Sequence, residues 1–204
     1  MMDRAEFSAA FGVPRETLAL FDRYAAALSD WQQRMNLVGS STLPDVWNRH
    51  FADSAQLLAI GEHGRSWLDV GAGAGFPGLV IGVLDRTAQV TLVESVAKKC
   101  RFLSEIAESL GIAARVTVEN RRIENLRRQK FDVITARALA GLDQLFDWAL
   151  PFAGSGTQWI LPKGVRVADE LTIASERFAF NYRLVVSCTD STGRIVVANG
   201  VTRR

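Results

Sequence analysis

Between residues 67 and 161, short apolar runs rich in β-branched residues alternate with helical stretches, and this limits the possible folds more than any other feature. Runs at 67–70, 90–94, 116–118, 131–135 and 157–161 read as strands, because each is short, apolar and bounded by turn residues. The stretches between them read as helices at about 77–84, 96–110 and 142–150, with a turn near 122–126; Gly111 stops the second helix. Alternation of this kind predicts an α/β fold, with a mostly parallel sheet and right-handed crossovers. Further along, 167–178 reads as a helix. Residues 182–188 and 194–198 then read as two strands around Asp190-Ser191-Thr192-Gly193, an antiparallel hairpin at the end of the sheet.

The string Asp69-Val70-Gly71-Ala72-Gly73-Ala74-Gly75-Phe76-Pro77-Gly78 follows the first strand and opens a helix. Alternating glycines let the chain turn sharply and let a ligand lie against bare main chain. An acid two places before the first glycine would repel a pyrophosphate. It suits a ligand with an ammonium group, such as the methionine part of S-adenosylmethionine. The rival is a dinucleotide loop, G-x-G-x-x-G. Here the third glycine comes one residue early, at Gly75, and Phe76 stands where that loop keeps glycine. Glu94 ends the second strand, about 20 residues beyond the loop, where either ligand class uses an acid to accept from ribose hydroxyls. A solvated strand-end carboxylate is the plainer alternative for it.

The first 60 or so residues read differently. Leu18, Phe21, Tyr24, Leu28, Trp31 and Met35 recur at three- and four-residue spacing, one face of a helix. Pro14 suits its first turn, and Gly12 stops a shorter helix before it. A second long helix is expected from near Pro44 to about Ile60, broken by Gly61 and Gly64. The expected organisation is a helical segment, 1–64, packed on a domain spanning 65–204. The 204 residues are 48% hydrophobic and 23% charged, ordinary for one globular domain, and the net charge of +2 permits an anionic partner without demanding one. Cys100 and Cys188 stand alone, without metal-site spacing. With no apolar run long enough to span a bilayer and no apolar leader, the chain reads as soluble and cytoplasmic.

A more specific resemblance rests on several motifs taken together. Asn36-Leu37-Val38, Arg49-His50-Phe51-Ala52-Asp53-Ser54, the 69–78 loop, Glu94-Ser95-Val96-Ala97-Lys98-Lys99, Arg122-Ile123-Glu124, Ala136-Arg137-Ala138 and Lys163-Gly164 occur in collinear order. In this the chain resembles the ribosomal RNA small subunit methyltransferase G family, also called glucose-inhibited division protein B. The resemblance implies a class I methyltransferase fold: a Rossmann-like, seven-stranded sheet with an antiparallel C-terminal hairpin. It also implies methyl transfer from S-adenosylmethionine to N7 of a guanine in the decoding-region loop of 16S rRNA. The implied cofactor contacts are Gly71, Phe76, Ile123, Glu124 and Arg137, which join Asp69, Gly73, Gly75 and Glu94 from the loop reading. Ile123 stands where the family often has alanine, and Ala136 where it often has serine; the second departure bears on a hydrogen bond near Arg137. Guanine N7 has a lone pair and no proton, so no catalytic acid or base is assigned, and positioning is expected to supply the acceleration.

Candidates for RNA contact are Arg49, His50, Lys98, Lys99, Arg121, Arg122 and Lys163. Each has a plainer reading. His50 and Asp53 share a helix face and could join the helical layer to the core by hydrogen bonds. Lys98, Lys99 and Arg101 open a helix against its dipole, which phosphate contact or a solvated face would explain. Arg121, Arg122, Arg127, Arg128 and Lys130 form a basic cluster that is either solvated or bound to phosphates. No metal is expected. The partner is 16S rRNA or the small subunit, bound by a monomer. The modest charge points to ribosomal proteins completing the binding surface. Other readings are a methyltransferase for another RNA or a small molecule, a non-catalytic RNA-binding protein with a nucleoside pocket, and an NAD-dependent oxidoreductase. Phe76 disfavours the last.

Overall fold

The computed structural model describes residues 2–61 and 65–204. One sheet of seven strands forms the middle layer, in the order β3-β2-β1-β4-β5-β7-β6. The strands are β1 (Ser66–Val70), β2 (Gln89–Glu94), β3 (Val116–Asn120), β4 (Phe131–Thr135), β5 (Ala153–Lys163), β6 (Phe178–Val186) and β7 (Arg194–Arg203). The first five pair in parallel, and β7 runs antiparallel to both β5 and β6. β1 lies centrally, and the chain leaves it toward β2 on one side and returns to β4 on the other. This is a topological switch point, where open sheets of this kind bind ligands beyond their strand ends.

Two apolar clusters sandwich the sheet. On one face Trp67, Val90, Leu92 and Val133 meet α4 (Gly78–Leu84), α5 (Ala97–Ser109) and the N-terminal helices α1 (Arg4–Phe11) and α2 (Arg15–Gln32). Phe7, Phe21, Tyr24 and Phe51 are wholly buried in this cluster. Burying a ring of this size stabilises by about 1.5–3 kcal/mol, so these four anchor the helical layer to the sheet. On the other face Leu68, Ile134, Trp159 and Val196 meet α6 (Leu142–Ala149) and α7 (Val167–Arg177), with Phe146 packed edge-on against Trp159 and Phe178. The N-terminal helices therefore share a core with the sheet. The expected boundary at 64/65, like the break expected at Gly64, falls at residues outside those described.

Four expectations need correction. The helix expected from Pro44 to Ile60 is three pieces: a 3-10 turn (Leu43–Asp45), a π-helical stretch (Trp47–Ala52) and α3 (Asp53–Ile60). Wide π-helical turns favour functional sites, and this one carries Arg49 and His50. Strands β5 and β7 are longer than their apolar cores: β5 starts at Ala153, paired with Phe131, and runs to Lys163, and β7 goes on pairing with β6 to Arg203. β6 begins at Phe178, where helix was expected, and ends before Ser187. Pro14 and Pro77 each stand one residue ahead of a helix and not within its first turn.

Candidate active site

A cavity of about 770 Å³ opens beyond the C-terminal ends of the parallel strands. Its floor is the glycine loop. Gly71, Gly73 and Gly75 have φ of +70°, +56° and +89°, a region open to glycine at little cost. A Cβ on Gly73 would meet only the Gly71 carbonyl, at 3.8 Å, so Gly73 presents bare main chain, whereas the Leu139 side chain covers Gly71, 2.7 Å from where a Cβ would stand. Gly75 serves a different purpose. A Cβ there would strike Leu79 at 2.3 Å and the Tyr24 hydroxyl at 2.7 Å, and Gly75 does not line the cavity. Its lack of a side chain lets α2 and α4 close on the back of the loop.

The loop amides are already engaged within the protein. Gly71 and Ala72 both donate to the Val93 carbonyl, Gly73 to Oε2 of Glu94 at 3.1 Å, and Gly75 to the Ala72 carbonyl. The first amide of α4, on Gly78, donates to Oδ2 of Asp69 at 2.9 Å. A pyrophosphate is held by free amides and an open helix N-terminus, and these four loop amides and the Gly78 amide are already taken. This also corrects the reading of Asp69 as the partner of a ligand ammonium. Its carboxyl is buried beneath the loop, caps α4 and does not line the cavity. Oδ1 of Asp69 and the hydroxyl of Thr135, its neighbour across the β1–β4 pairing, have no hydrogen-bond partner among the described residues. Burial pushes the Asp69 carboxyl up to about 7, against the Gly78 hydrogen bond that lowers it.

Glu94 does line the cavity. Oε1 accepts from the Val96 amide at 2.8 Å and Oε2 from Gly73, which fixes the carboxylate and leaves lone pairs for ligand hydroxyls. Ile123 and Glu124 come from a 3-10 turn after β3; Ile123 packs into the core while bordering the cavity, and Glu124 is exposed at its rim. Ala136 is buried in the same core. Trp148, half-buried on α6, is part of the wall.

Arg137 follows β4 and reaches across the cavity. Nη1 donates to the Arg49 carbonyl at 3.0 Å and to Oδ2 of Asp53 at 3.3 Å, and Nη2 lies 2.9 Å from Nδ1 of His50. Its guanidinium sits 5.0 Å over the Phe76 ring. Phe76 is also stacked on Tyr24 and on His50. The backbone turns sharply just after Arg137: Ala138 has φ +53°, a strained value for a side-chain-bearing residue. Burial, and then the neighbouring Arg137 and Arg49, press the His50 imidazole down to about 3.

The roof comes from both ends of the chain. Gln32, the last residue of α2, clasps the 37–38 segment by accepting from the amides of Leu37 and Val38 and donating to the Val38 carbonyl. The β6–β7 turn docks on α3 and the π-helical stretch. Gln56 donates to the Ser187 hydroxyl and accepts from the Cys188 amide, Thr189 donates to Asp53, and Arg49 pairs with Asp190 at 3.2 Å. Hydrogen bonds from Thr192 hold Asp190 down to about 2.

The remaining basic residues divide. Lys99, Arg121, Arg122 and Lys163 border the cavity, with Arg49 and His50, while Lys98 does not. Lys98 donates to the Arg34 carbonyl just past α2, which explains its place in a helix first turn without phosphate. Lys163 is nearly buried, bound to Glu170 at 2.8 Å and to the Ala140 carbonyl. Arg121 pairs with Glu119. Lys99 and Arg122 have no protein partner among the described residues. No group of three or more His, Cys, Asp and Glu residues is placed to hold a metal, and no helix is long and apolar enough to cross a membrane, among the described residues. The turn residues 187–190 were missed in the sequence as site residues. Nothing local marks them, since they are brought in by the hairpin.

The fold, with its switch-point cavity and internally bonded loop amides, is that of a class I S-adenosylmethionine-dependent methyltransferase. An O-methyltransferase from Bacillus cereus solved in complex with SAH shares it, with a TM-score of 0.60 at 18% identity over 96% of each chain. The family model for rRNA small subunit methyltransferase G matches residues 17–196, and the chain belongs to that family. The ribosomal RNA small subunit methyltransferase G of Methylorubrum populi is 47% identical over 94% of this chain and 92% of its own length. That of Methylobacterium nodulans is 47% identical over 95% and 93%.

Proposed function

We propose that the protein transfers a methyl group from S-adenosylmethionine to N7 of a guanine in 16S rRNA, acting in the cytoplasm as a monomer on the small subunit or its RNA. The observation that carries this reading is the pairing of a bare glycine floor, its amides engaged internally, with the fixed carboxylate of Glu94. That arrangement fits a nucleoside without a pyrophosphate: main chain at Gly73 to lie against, Glu94 to accept from ribose hydroxyls, and the Ile123 side chain to flank the base. When bound, the cofactor supplies an electrophilic methyl group on a sulfonium.

The residues of the chain then have limited tasks. Guanine N7 holds no proton, so no side chain has to remove one, and neither Asp69 nor His50 is needed as a base. Arg137, Phe76 and the roof segments restrict how a base can lie in the cavity and exclude water from it. Positioning of this kind removes much of the entropic barrier to a two-substrate reaction. Fixed dipoles around the cavity favour the spread of charge as the methyl moves.

Titration calorimetry should show S-adenosylmethionine and S-adenosylhomocysteine binding and NADH giving no heat; the reverse would eliminate the reading. Mass spectrometry of 16S rRNA from a deletion strain should show loss of one N7-methylguanosine, restored by the cloned gene. Unchanged N7-methylguanosine, with cofactor binding intact, would leave a methyltransferase of another substrate.

A further inference from the structure

The directions of the hydrogen bonds around His50 follow from donor chemistry alone. Nδ1 lies 2.9 Å from Nη2 of Arg137, and a guanidinium can only donate, so Nδ1 carries the lone pair. Nε2 lies 2.8 Å from the Thr42 hydroxyl oxygen. The Thr42 proton is directed to the Gly39 carbonyl at 2.8 Å, which leaves that oxygen to accept. Nε2 therefore holds the ring proton. The chain Arg137 to His50 to Thr42 to Gly39 runs one way, and it links the end of β4 to the 39–42 segment of the cavity wall.

Arg137 is thereby left with one free edge. Nη1 is engaged by the Arg49 carbonyl and Asp53, and one Nη2 hydrogen by His50. Neither Nε–H nor the second Nη2 hydrogen has a partner among the described residues, and when His50 takes the Nη2 hydrogen nearer Nη1 the two lie side by side. That edge matches two oxygens of a carboxylate or phosphate group.

We propose that His50 is a positioning residue: as a neutral imidazole protonated on Nε2, it locks Arg137 to the 39–42 wall and presents the free Arg137 edge to a pair of anionic oxygens in the cavity. His50 is thus not itself a phosphate contact. The charges felt at the ring are the cations Arg137 and Arg49, both of which oppose protonation. Asp53 and Asp190 are engaged by these same two arginines. Phe76, stacked on the ring at 4.8 Å, is apolar, and Tyr24 beyond it stays un-ionised because burial holds its hydroxyl well above the usual range. The consequence for catalysis rests on the methyl-transfer reading; the state of the ring does not.

The first test reads the ring directly. The chain has two histidines, and His63→Asn leaves the imidazole signals of His50 alone. Nitrogen NMR should show one protonated and one bare nitrogen, Nε2 and Nδ1 respectively, unchanged from about pH 5 to 8. Titration near the ordinary 6.5, or a proton on Nδ1, overturns the proposal. The second test reads ligands. His50→Leu should weaken S-adenosylhomocysteine roughly tenfold or more and leave 5′-methylthioadenosine, which lacks the carboxylate, unchanged if the oxygens are the cofactor's. It should raise KM for rRNA alone if they belong to RNA phosphate. His50→Asn, which keeps an acceptor at the Nδ1 place, should restore most of the loss. Uniform weakening of all three ligands, or of none, overturns the proposal. Wild-type protein that binds neither S-adenosylhomocysteine nor rRNA sinks the methyltransferase reading while leaving the NMR result standing.

Discussion

Burial of Asp69 under the glycine loop makes folding depend on pH in the direction opposite to a paired surface carboxylate. Below about pH 4 the group is protonated in both folded and unfolded chains. Between about 4 and the folded value of about 7, the unfolded chain ionises while the folded one keeps its proton. The unfolded state then binds fewer protons, so stability contributed by this site falls as pH rises through that window and is level above it. Asp69→Asn keeps an oxygen for the Gly78 amide and removes the charge. Its melting temperature relative to wild type should climb between pH 4 and 7 and then stay constant. A difference independent of pH would show that Asp69 is ionised in the fold. The loop pattern was legible in the sequence, but this role was not. An acid that caps a helix from beneath and an acid that faces a ligand read identically in one dimension. His50 is the reverse case: the shared helix face of His50 and Asp53 already allowed the hydrogen bonds that now link both to Arg137.

Among the elements, strands and helices of the central sheet could be read because each has one period and one buried side. The register could not, nor the lengths of β5 and β7, since pairing there runs past the apolar residues into polar ones. The 43–60 segment defeated periodicity for a physical reason. Its three helical forms advance by different angles per residue, so no single period describes its buried positions. The β6–β7 turn matters most at this scale, because Gln56 accepts from the Cys188 amide and donates to the Ser187 hydroxyl, which Thr189 also engages. Gln56→Ala leaves the Cys188 amide without that partner and should cost about 1–3 kcal/mol in urea unfolding. Amide exchange at 187–193 should rise further than at β7. Unaltered exchange in the turn would mean that Arg49–Asp190 and Asp53–Thr189 suffice to hold it.

For the molecule as a whole, charge is unevenly placed. The cavity walls carry seven cationic side chains against four carboxylates, while the entire chain has a net charge of only +2. The excess is thus local to the place where RNA is proposed to bind, which is why the total was a weak guide. Among the cations, Arg122 is exposed and unpaired with any described residue. Arg122→Ala should weaken rRNA binding for all sequences alike and lessen the slope of log K against log salt by about 0.7–0.9, the share of one phosphate contact. An unchanged slope would place the RNA elsewhere on the surface.

The joint core of the N-terminal helices and the sheet bears on synthesis as well as on the finished molecule. A chain emerging from the ribosome presents Tyr24 and Phe51 before Phe76 and Phe102; Tyr24 packs against both of these later rings, and Phe51 against Phe76. Until those arrive, the aromatic residues of the first helices can pack on one another, but the face that Tyr24 and Phe51 turn to the sheet side stays open. Nascent intermediates of this type are the ones that aggregate or recruit chaperones. A pause in translation before α5 has emerged would prolong that exposure, whereas a pause after it would be harmless to this face.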